Sequence, residues 1–106
     1  MKPPEAPVLY SFDSELWLWA TEGATWAFVT VPNDISDAIE ATIPTKRGFG
    51  SVRVEVTIGT TTWRTSLFPD KSRGAYILPI KKAVRKAESL DIGEPAHCEL
   101  EPIVDG

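Results

Sequence analysis

Two segments of this chain repeat one plan: a strand, a proline, a short helix, a glycine and another strand. The first opens with residues 27–31 and Pro32, and the second opens with residues 75–78 and Pro79. Proline ends the hydrogen-bond ladder of a strand and suits the first turn of a helix, and glycine permits a sharp return. Two such units that pair their strands would close a small barrel. The plan predicts a mainly β fold, a β-barrel with short helices, formed from two pseudo-repeated halves in one chain.

The strands are predicted from apolar alternation, which is clearest in the middle of the chain. Residues 52–58 place Val or Ile at every second position, as expected for a strand with one face in water. Gly59 then opens a turn, and the following strand completes a hairpin. These patterns predict strands at residues 8–12, 26–31, 51–58, 62–68, 75–78 and 96–103.

Residues 15–20 are apolar on both parities, a pattern that suits either a strand covered on both faces or a buried helix. Two short helices are predicted from apolar stripes with a spacing of i, i+3, i+4 and i+7. The first stripe begins at Ile35 after Pro32, and the second begins at Ile80 and extends to Leu90.

The length of 106 residues and the hydrophobic fraction of 42% predict one domain with its own core. We expect a disordered lead-in over residues 1–8, where three prolines occur, and a single domain over residues 9–104. The single cysteine excludes an internal disulfide and fits a reducing compartment. A cytoplasmic location is expected, because no apolar run has the length of a membrane span and the N-terminus lacks the apolar core of a signal peptide.

The net charge of −4 is unevenly distributed along the chain. Residues 1–44 carry seven acids and one base, residues 45–86 carry two acids and ten bases, and residues 87–106 carry six acids. The central basic block either forms an anion-binding surface or is neutralised by the acidic flanks across the fold. The net acidity argues against a general nucleic-acid binder.

Four strings of the sequence carry a family resemblance that spans roughly residues 10–101. They are Trp-x-Phe-Val-x-x-Pro from Trp26, Val-x-Val-x-Ile-Gly from Val54, Trp-Arg-Thr-Ser-Leu-Phe-Pro from Trp63, and Tyr-Ile-Leu-Pro-Ile-Lys-Lys-Ala-Val-Arg-Lys-Ala from Tyr76. Together they resemble the bacterial family called domain of unknown function 1905, which brings no established activity with it.

The resemblance implies a double-split β-barrel similar to the AbrB and MazE class of transcription regulators. In that class, Leu-Pro-x-x-x-x-Val-Arg followed by a glycine and a strand marks one half-barrel. This chain carries the pattern from Leu78 to Arg85 with Gly93, and it carries a looser copy over residues 31–39. The implied fold is therefore a double-split β-barrel with both halves in one chain. The acidic net charge and the weak first copy depart from the regulators, and both departures argue against DNA binding.

A ligand-binding site is predicted from aromatic and basic residues on two strands and the segment that follows them. Arginine offers a planar fork for carboxylate or phosphate, and aromatic rings add apolar contact area. The alternative is that the tryptophans belong to the core and that the arginine is a solvated strand residue. The candidate ligand-binding residues are Trp63, Arg64, Ser66, Tyr76 and Lys81.

A second candidate is a basic helical face that suits nucleic-acid phosphates or another anion. It consists of Lys81, Lys82, Arg85 and Lys86. The alternatives are a solvated face and pairing with the acidic segments. Aromatic residues are not interleaved with these cations, as they are in many single-strand binders.

No catalytic residue, metal site or cofactor is predicted. His97 and Cys98 are adjacent, so in a strand their side chains point to opposite faces, and no second histidine completes a zinc site. Ser66 has no sequence context typical of a nucleophile. The sequence therefore favours a non-catalytic module that binds a small ligand or a protein partner, as a monomer or homodimer and away from membranes. A nucleic-acid-binding regulator of the AbrB-like class is the alternative, and an enzyme is third.

Overall fold

The computed structural model describes residues 9–42 and 50–103. Within these ranges the elements, in chain order, are β1 (Tyr10–Glu15), β2 (Trp17–Thr21), β3 (Ala24–Thr30), α1 (Asn33–Thr42), β4 (Val52–Ile58), β5 (Thr61–Asp70), β6 (Ala75–Pro79), α2 (Lys82–Ala87) and β7 (Pro95–Pro102). The predicted lead-in over residues 1–8, most of the predicted loop at 44–50 and the predicted domain limit at residue 104 lie outside the described residues. Neither described helix is long and apolar enough to cross a membrane.

The described strands form one antiparallel sheet in the order β1-β7-β4-β5-β6-β3-β2, so the prediction of a mainly β fold is confirmed. Two of the neighbouring pairs, β2–β3 and β4–β5, are hairpins with two-residue turns. In the second hairpin Ile58 lies opposite Thr61, and Gly59 has φ +58°. That left-handed backbone favours glycine, which explains why the turn falls there.

The sheet curls into a partial barrel because one nearly continuous segment lies at both of its edges. Strand β1 pairs with β7 at one edge, β2 pairs with β3 at the other, and only Leu16 separates β1 from β2. The Leu16 N–H donates to the Glu94 carbonyl at 2.9 Å, and the Gly93 N–H donates to the Leu16 carbonyl at 2.7 Å. Because the Leu16 side chain is also fully buried, both the backbone and the core hold this bend in place.

Strand β5 also changes its partner, but without a break in the strand. Residues Thr61–Leu67 pair with β4, and residues Phe68–Asp70 pair with β6. Leu67, the residue at which the partner changes, is fully buried. The long strand thus connects the two sides of the curled sheet.

The core lies on the concave side of the sheet and is closed by one side of each helix. The alternation predicted for β4 is confirmed, because Val52, Val54, Val56 and Ile58 are buried and the polar residues between them are half-buried. The larger fully buried side chains elsewhere are Leu16, Ile39, Leu67, Leu78, Ile80 and Leu100.

The structure corrects the prediction for residues 15–20. The run is extended rather than helical, but it is not covered on both faces. It divides at Leu16 into two strands, and Leu18 and Trp19 are 46% and 51% exposed. The exposure follows from topology, because β2 is the edge strand of the sheet among the described residues.

The second helix is shorter than the apolar stripe predicted. It spans Lys82–Ala87 and is followed by Ser89 with φ +52°, a backbone conformation that ends an α-helix. The stripe is therefore buried only in part. Ile80 and Val84 lie in the core, whereas the alanines of the stripe are exposed.

Ser36 joins α1 to the sheet, and its loss is expected to destabilise the fold. Its hydroxyl donates to the Val31 carbonyl and accepts from the Tyr76 N–H, both at 3.1 Å, and the side chain is buried. Ser36→Ala leaves a buried N–H and a buried carbonyl each without a partner, so the free energy of unfolding should fall by about 1–3 kcal/mol. Urea unfolding measures this change. Ser11→Ala, at an exposed strand position, should shift it by less than about 0.5 kcal/mol, and equal effects would contradict the assignment.

Candidate functional site

An open cleft of about 760 Å³ lies between the first half of β5, the start of β3 and the segment that leads from β6 into α2. These three segments surround the cleft, and no described strand pairs with another across it. It is lined by Thr25, Trp26, Ala27, Trp63, Arg64, Thr65, Phe68, Pro79, Ile80, Lys81, Lys82 and Arg85.

Pro79 opens this cleft by ending the pairing of β5 with β6. The two strands pair only over Phe68–Asp70. The same register would place Ser66 opposite Pro79, whose nitrogen carries no hydrogen. The chain then turns away, as the Ile80 N–H donates to the Ala27 carbonyl at 2.9 Å and α2 begins soon after. The first half of β5 is left with β4 on one side and the cleft on the other.

Near the bend at Leu16, side-chain hydrogen bonds join β1 and β2 to the end of β3. The Ser14 hydroxyl donates to the Thr30 carbonyl at 2.7 Å, and the Trp17 Nε1–H donates to the Thr30 Oγ1 at 2.9 Å. Among the described residues, no side-chain hydrogen bond joins residues 63–65 to residues 79–81 in the same manner. The difference leaves the cleft accessible to a ligand.

The charges that line the cleft are all positive. Arg64, Lys81, Lys82 and Arg85 contribute, and no carboxylate occurs among the lining residues of this described cleft. Arg64 donates its Nε–H to the Glu55 carboxylate at 3.2 Å, and both side chains are exposed, so the pair contributes little to stability. That bond uses only Nε, so among the described residues the terminal nitrogens of Arg64 are left for a ligand.

Arg85 is held more firmly than the other three cations. It is half-buried, and its Nε–H donates to the Ile80 carbonyl at 3.2 Å. The bond fixes the root of the guanidinium at the side of the cleft where the chain enters α2. Arg85 therefore presents a preorganised group, whereas the exposed Lys81 and Lys82 side chains can adjust to a ligand.

Aromatic rings form the apolar part of the cleft. Trp26 is 51% exposed and Phe68 is 43% exposed, and Trp63 is half-buried against the core. Large apolar side chains that remain this exposed and lie beside cations are typical of binding surfaces. The arrangement can hold a group with a negative charge together with an apolar or aromatic part.

The structure brings together three of the five predicted ligand-binding residues. Trp63, Arg64 and Lys81 line the cleft, and Ser66 lies on the same strand but is not a lining residue. Tyr76 is on the neighbouring strand as expected, yet it lies opposite Pro69 rather than near Trp63, so it does not reach the cleft.

Tyr76 belongs to a separate, smaller depression of about 250 Å³ that it shares with α1 residues such as Asp37 and Glu40. Its side chain is buried. Burial is the larger cause that raises the pKa of Tyr76 above 10.0, and the charge of Glu40 adds to it. The phenol is therefore neutral at physiological pH and serves the packing of α1 against β6.

The predicted basic helical face is divided between two depressions. Lys81, Lys82 and Arg85 line the cleft, whereas Lys86 lines, with Lys82 and Arg85, a shallow depression of about 410 Å³ that also contains Asp91. The face thus continues the cleft around α2. Lys86 alone of the four lies outside the cleft.

Trp26 and Phe68 were missed as site residues in the sequence. The sequence leaves the tryptophans open to either a surface or a core role, and it predicts Phe68 only as part of the returning strand. The alternation in β5 carried a signal, because Phe68 shares its parity with Arg64 and not with the buried Leu67. For Trp26 no such signal exists, since its exposure depends on β3 lying next to the edge of the sheet.

A second aromatic cluster lies on the other side of the β2–β3 hairpin. The Arg73 guanidinium stacks 3.8 Å from the ring centre of Trp17, whose ring is 5.0 Å from that of Phe28. Arg73 also donates to the Asp70 carboxylate at 2.8 Å. The contacts fasten the loop between β5 and β6 onto the hairpin, which is a structural role.

Asp70 gives this loop a pH dependence. Its pKa is lowered from 3.8, chiefly by the hydrogen bond from the Ser72 hydroxyl and also by Arg73, despite partial burial. A depressed folded-state pKa adds stability that is present above 3.8 and is lost as the pH falls through the folded-state value. Asp70→Asn should therefore lower stability at about pH 7 and much less at about pH 2.5, as measured by urea unfolding. An equal loss at both pH values would contradict this, and Asp91→Asn serves as the exposed control.

His97 and Cys98 point to opposite faces of β7, as predicted. The His97 Nδ1 lies 2.8 Å from the Asp13 carboxylate on the exposed face, whereas Cys98 is fully buried. In the described residues, no group of three or more His, Cys, Asp or Glu side chains is placed to hold a metal ion.

Cys98 is expected to be unreactive in the folded protein. Burial, and to a smaller degree the charge of Asp13, raise the pKa of the Cys98 thiol from 9.0 to about 12. The thiolate is the reactive form, so this pKa alone slows its modification by about a thousandfold relative to an unshifted thiol. Labelling with Ellman's reagent at about pH 8 should be slow in buffer and rapid in guanidinium chloride. Complete labelling within minutes in buffer would contradict this burial.

The sequence comparison agrees with the family resemblance of the four strings. The family described as Domain of unknown function (DUF1905) matches residues 12–100. The chain belongs to this family. The match runs from β1 to β7 and so includes every strand that lines the cleft. A comparison with curated proteins finds no match to the chain. The function of this DUF1905 domain is therefore inferred from its site.

Proposed function

We propose that this DUF1905 domain is a non-catalytic binding module whose cleft holds a negatively charged group of a small ligand or a protein partner. One observation carries the proposal. Four cations, Arg64, Lys81, Lys82 and Arg85, converge on a cleft whose described lining includes no carboxylate. Like charges gathered in this way repel one another in the free protein, and a bound anion lowers this repulsion.

The chemistry of the four cations favours carboxylate or phosphate as the bound group. Guanidinium groups bind both through paired hydrogen bonds, and lysine adds a mobile point charge. The exposed rings of Trp26 and Phe68 favour an apolar or aromatic part next to the anion. The proposal includes no catalytic role, because the described residues that line the cleft include no carboxylate, histidine or cysteine to act as a general base.

Nucleic acid is a second candidate occupant, favoured by one observation. The basic face continues around α2 to Lys86, and exposed rings lie at its start, which together resemble the stacking and phosphate contacts of single-strand binders. Binding of this kind weakens steeply with salt, whereas a ligand held by a few directed hydrogen bonds is less sensitive. Salt dependence therefore separates the two candidates.

We infer that the fold is a double-split barrel of two related halves, as in the AbrB and MazE class. Two reciprocal hydrogen bonds support this relation: Val31 N–H to the Tyr76 carbonyl and Ile80 N–H to the Ala27 carbonyl, both at 2.9 Å. Strands β3 and β6 pair antiparallel, as do β4 and β7, and β5 changes partners as the β1–β2 segment does. Both halves lie in one chain, so a monomer suffices for this barrel. The single buried cysteine, Cys98, suits a cytoplasmic setting.

The proposal is tested by thermal melting with inorganic pyrophosphate, benzoate and a short oligonucleotide, at low and high salt. A ligand that binds the native state raises the melting temperature by mass action. We expect a small anion to raise the melting temperature at both salt concentrations. Arg64→Ala should reduce this shift and Lys86→Ala should not, because Arg64 lines the cleft and Lys86 does not. A shift with the oligonucleotide alone, lost in salt, would favour nucleic acid. The absence of any shift would contradict anion binding.

A further inference from the structure

We propose that the occupant of the cleft is an extended peptide segment, rich in Asp or Glu, that adds as a strand to the free edge of β5. The inference rests on the proposed function, because three of its four cations, Lys81, Lys82 and Arg85, would bind the acidic side chains. Its additional evidence is the backbone of β5, which offers unpaired donors and acceptors where the cations lie.

The hairpin turn fixes which backbone groups of β5 point away from β4. In a two-residue hairpin the closing pair, here Ile58 and Thr61, exchanges both of its hydrogen bonds, and such pairs then alternate along the ladder. Trp63 and Thr65 therefore bond to β4. The backbone N–H and C=O groups of the residues between them point to the opposite edge.

Arg64 and Ser66 are the residues whose backbones point to that opposite edge. Phe68 has the same parity, and it pairs with β6 on that side, as the alternation requires. No described strand pairs with residues 61–67 there. Pro79 lacks the hydrogen that the Ser66 carbonyl would accept, and Arg64 makes no backbone hydrogen bond to the described loops or helices.

An unpaired strand edge is a ready template for another strand, and peptide recognition by strand addition uses such edges. Proteins often protect their edges, but here the chain moves into α2, and no element of the described residues covers this edge of β5. The backbone groups of Ser66 and Arg64, which no described strand pairs with at this edge, would gain hydrogen bonds that a free ion or a nucleic acid does not supply in this pattern. The edge therefore favours a peptide over the other anionic ligands.

Charge and apolar surface specify the side chains of such a peptide. Along an extended peptide, side chains alternate between two faces. Carboxylates on one face would meet Lys81, Lys82 and Arg85, and apolar residues on the other would contact the rings of Trp26 and Phe68. An acidic segment with alternating apolar residues combines both features.

The test uses the blocked peptide acetyl-Glu-Val-Glu-Phe-Glu-Val-Glu-amide and two N-methylated forms of it. One form carries N-methyl groups on the amides of the Glu residues, and the other carries them on the amides of the Val and Phe residues. Binding to the full chain is followed by tryptophan fluorescence, with inorganic pyrophosphate as the small-anion arm. We expect the unmodified peptide to bind, pyrophosphate to compete with it, and one of the N-methylated forms to bind at least about tenfold more weakly, because it cannot donate to the edge.

Variants at Arg64 give a second measurement. Arg64→Ala removes the side chain and keeps the N–H, whereas Arg64→Pro removes both, and proline is tolerated at a free strand edge. Arg64→Pro should bind the peptide more weakly than Arg64→Ala, with both folded by circular dichroism. If both N-methylated forms bind as well as the parent, or if pyrophosphate binds and the peptide does not, strand addition is wrong and the anion cleft stands. If neither probe binds, the proposed function fails as well.

Discussion

Replacing Leu16 with alanine is expected to lower the free energy of unfolding by about 2–5 kcal/mol, the range for a large buried side chain in a well-packed core. Leu16 is fully buried at the bend between β1 and β2, and its N–H and C=O bond to Glu94 and Gly93. The backbone bonds hold the bend in place, so the core cannot easily collapse into the space that the side chain leaves. The loss should therefore lie toward the upper end of the range.

Leu18→Ala is the matched control for this change. The two leucines are separated by one residue and undergo the same truncation, but Leu18 is 46% exposed and should cost less than about 1 kcal/mol. Urea unfolding of both variants against the wild type measures the difference. Similar losses for both variants would show that the bend at Leu16 does not anchor the curled sheet.

Reversing two charges of the cleft should weaken anion binding by about a hundredfold or more. Each hydrogen bond to a charged group contributes about 1.5–3 kcal/mol, and Lys81→Glu with Lys82→Glu removes two such donors and adds two repulsive charges. The exposure of both side chains leaves the core intact, so the melting temperature without ligand should change little. Calorimetric titration with inorganic pyrophosphate measures the affinity.

A control with the same change in net charge separates a local effect from a general one. Lys71 and Lys86 are exposed and lie outside the cleft, so Lys71→Glu with Lys86→Glu should lower affinity less than tenfold through long-range repulsion alone. If this pair weakens pyrophosphate binding as much as the cleft pair does, the site is not the cleft.

The sequence predicted the strands of the middle of the chain because their signal is local. The alternation over residues 52–58 and the glycine turn depend only on neighbours along the chain, and both are present in the structure. The two helices after Pro32 and Pro79 followed from equally local signals. The prediction that residues 15–20 are covered on both faces was wrong because burial depends on tertiary structure. Strand β2 lies at the edge of the described sheet, a position that the local sequence does not reveal.

The cleft could be predicted only in part, because it depends on the register of two strands. The chemistry of Trp63, Arg64 and Lys81 predicts a shared site, and the structure places the three residues together in the cleft. The same reasoning predicts Tyr76 in the site, but the pairing of β5 with β6 puts it beside Pro69 and away from Trp63. The role of Pro79 was visible only as a strand end. To predict that Pro79 leaves one edge of β5 open, one must know that β6 is the strand that lies opposite β5.

The most direct test of the anion-binding cleft is a nuclear magnetic resonance titration of the isotope-labelled chain with inorganic pyrophosphate at constant ionic strength. The predicted result is a set of saturable amide shifts confined to residues 63–66 and 80–85, on the two sides of the cleft. Shifts confined to the end of α2 around Lys86, or no saturable shift at all, would contradict it.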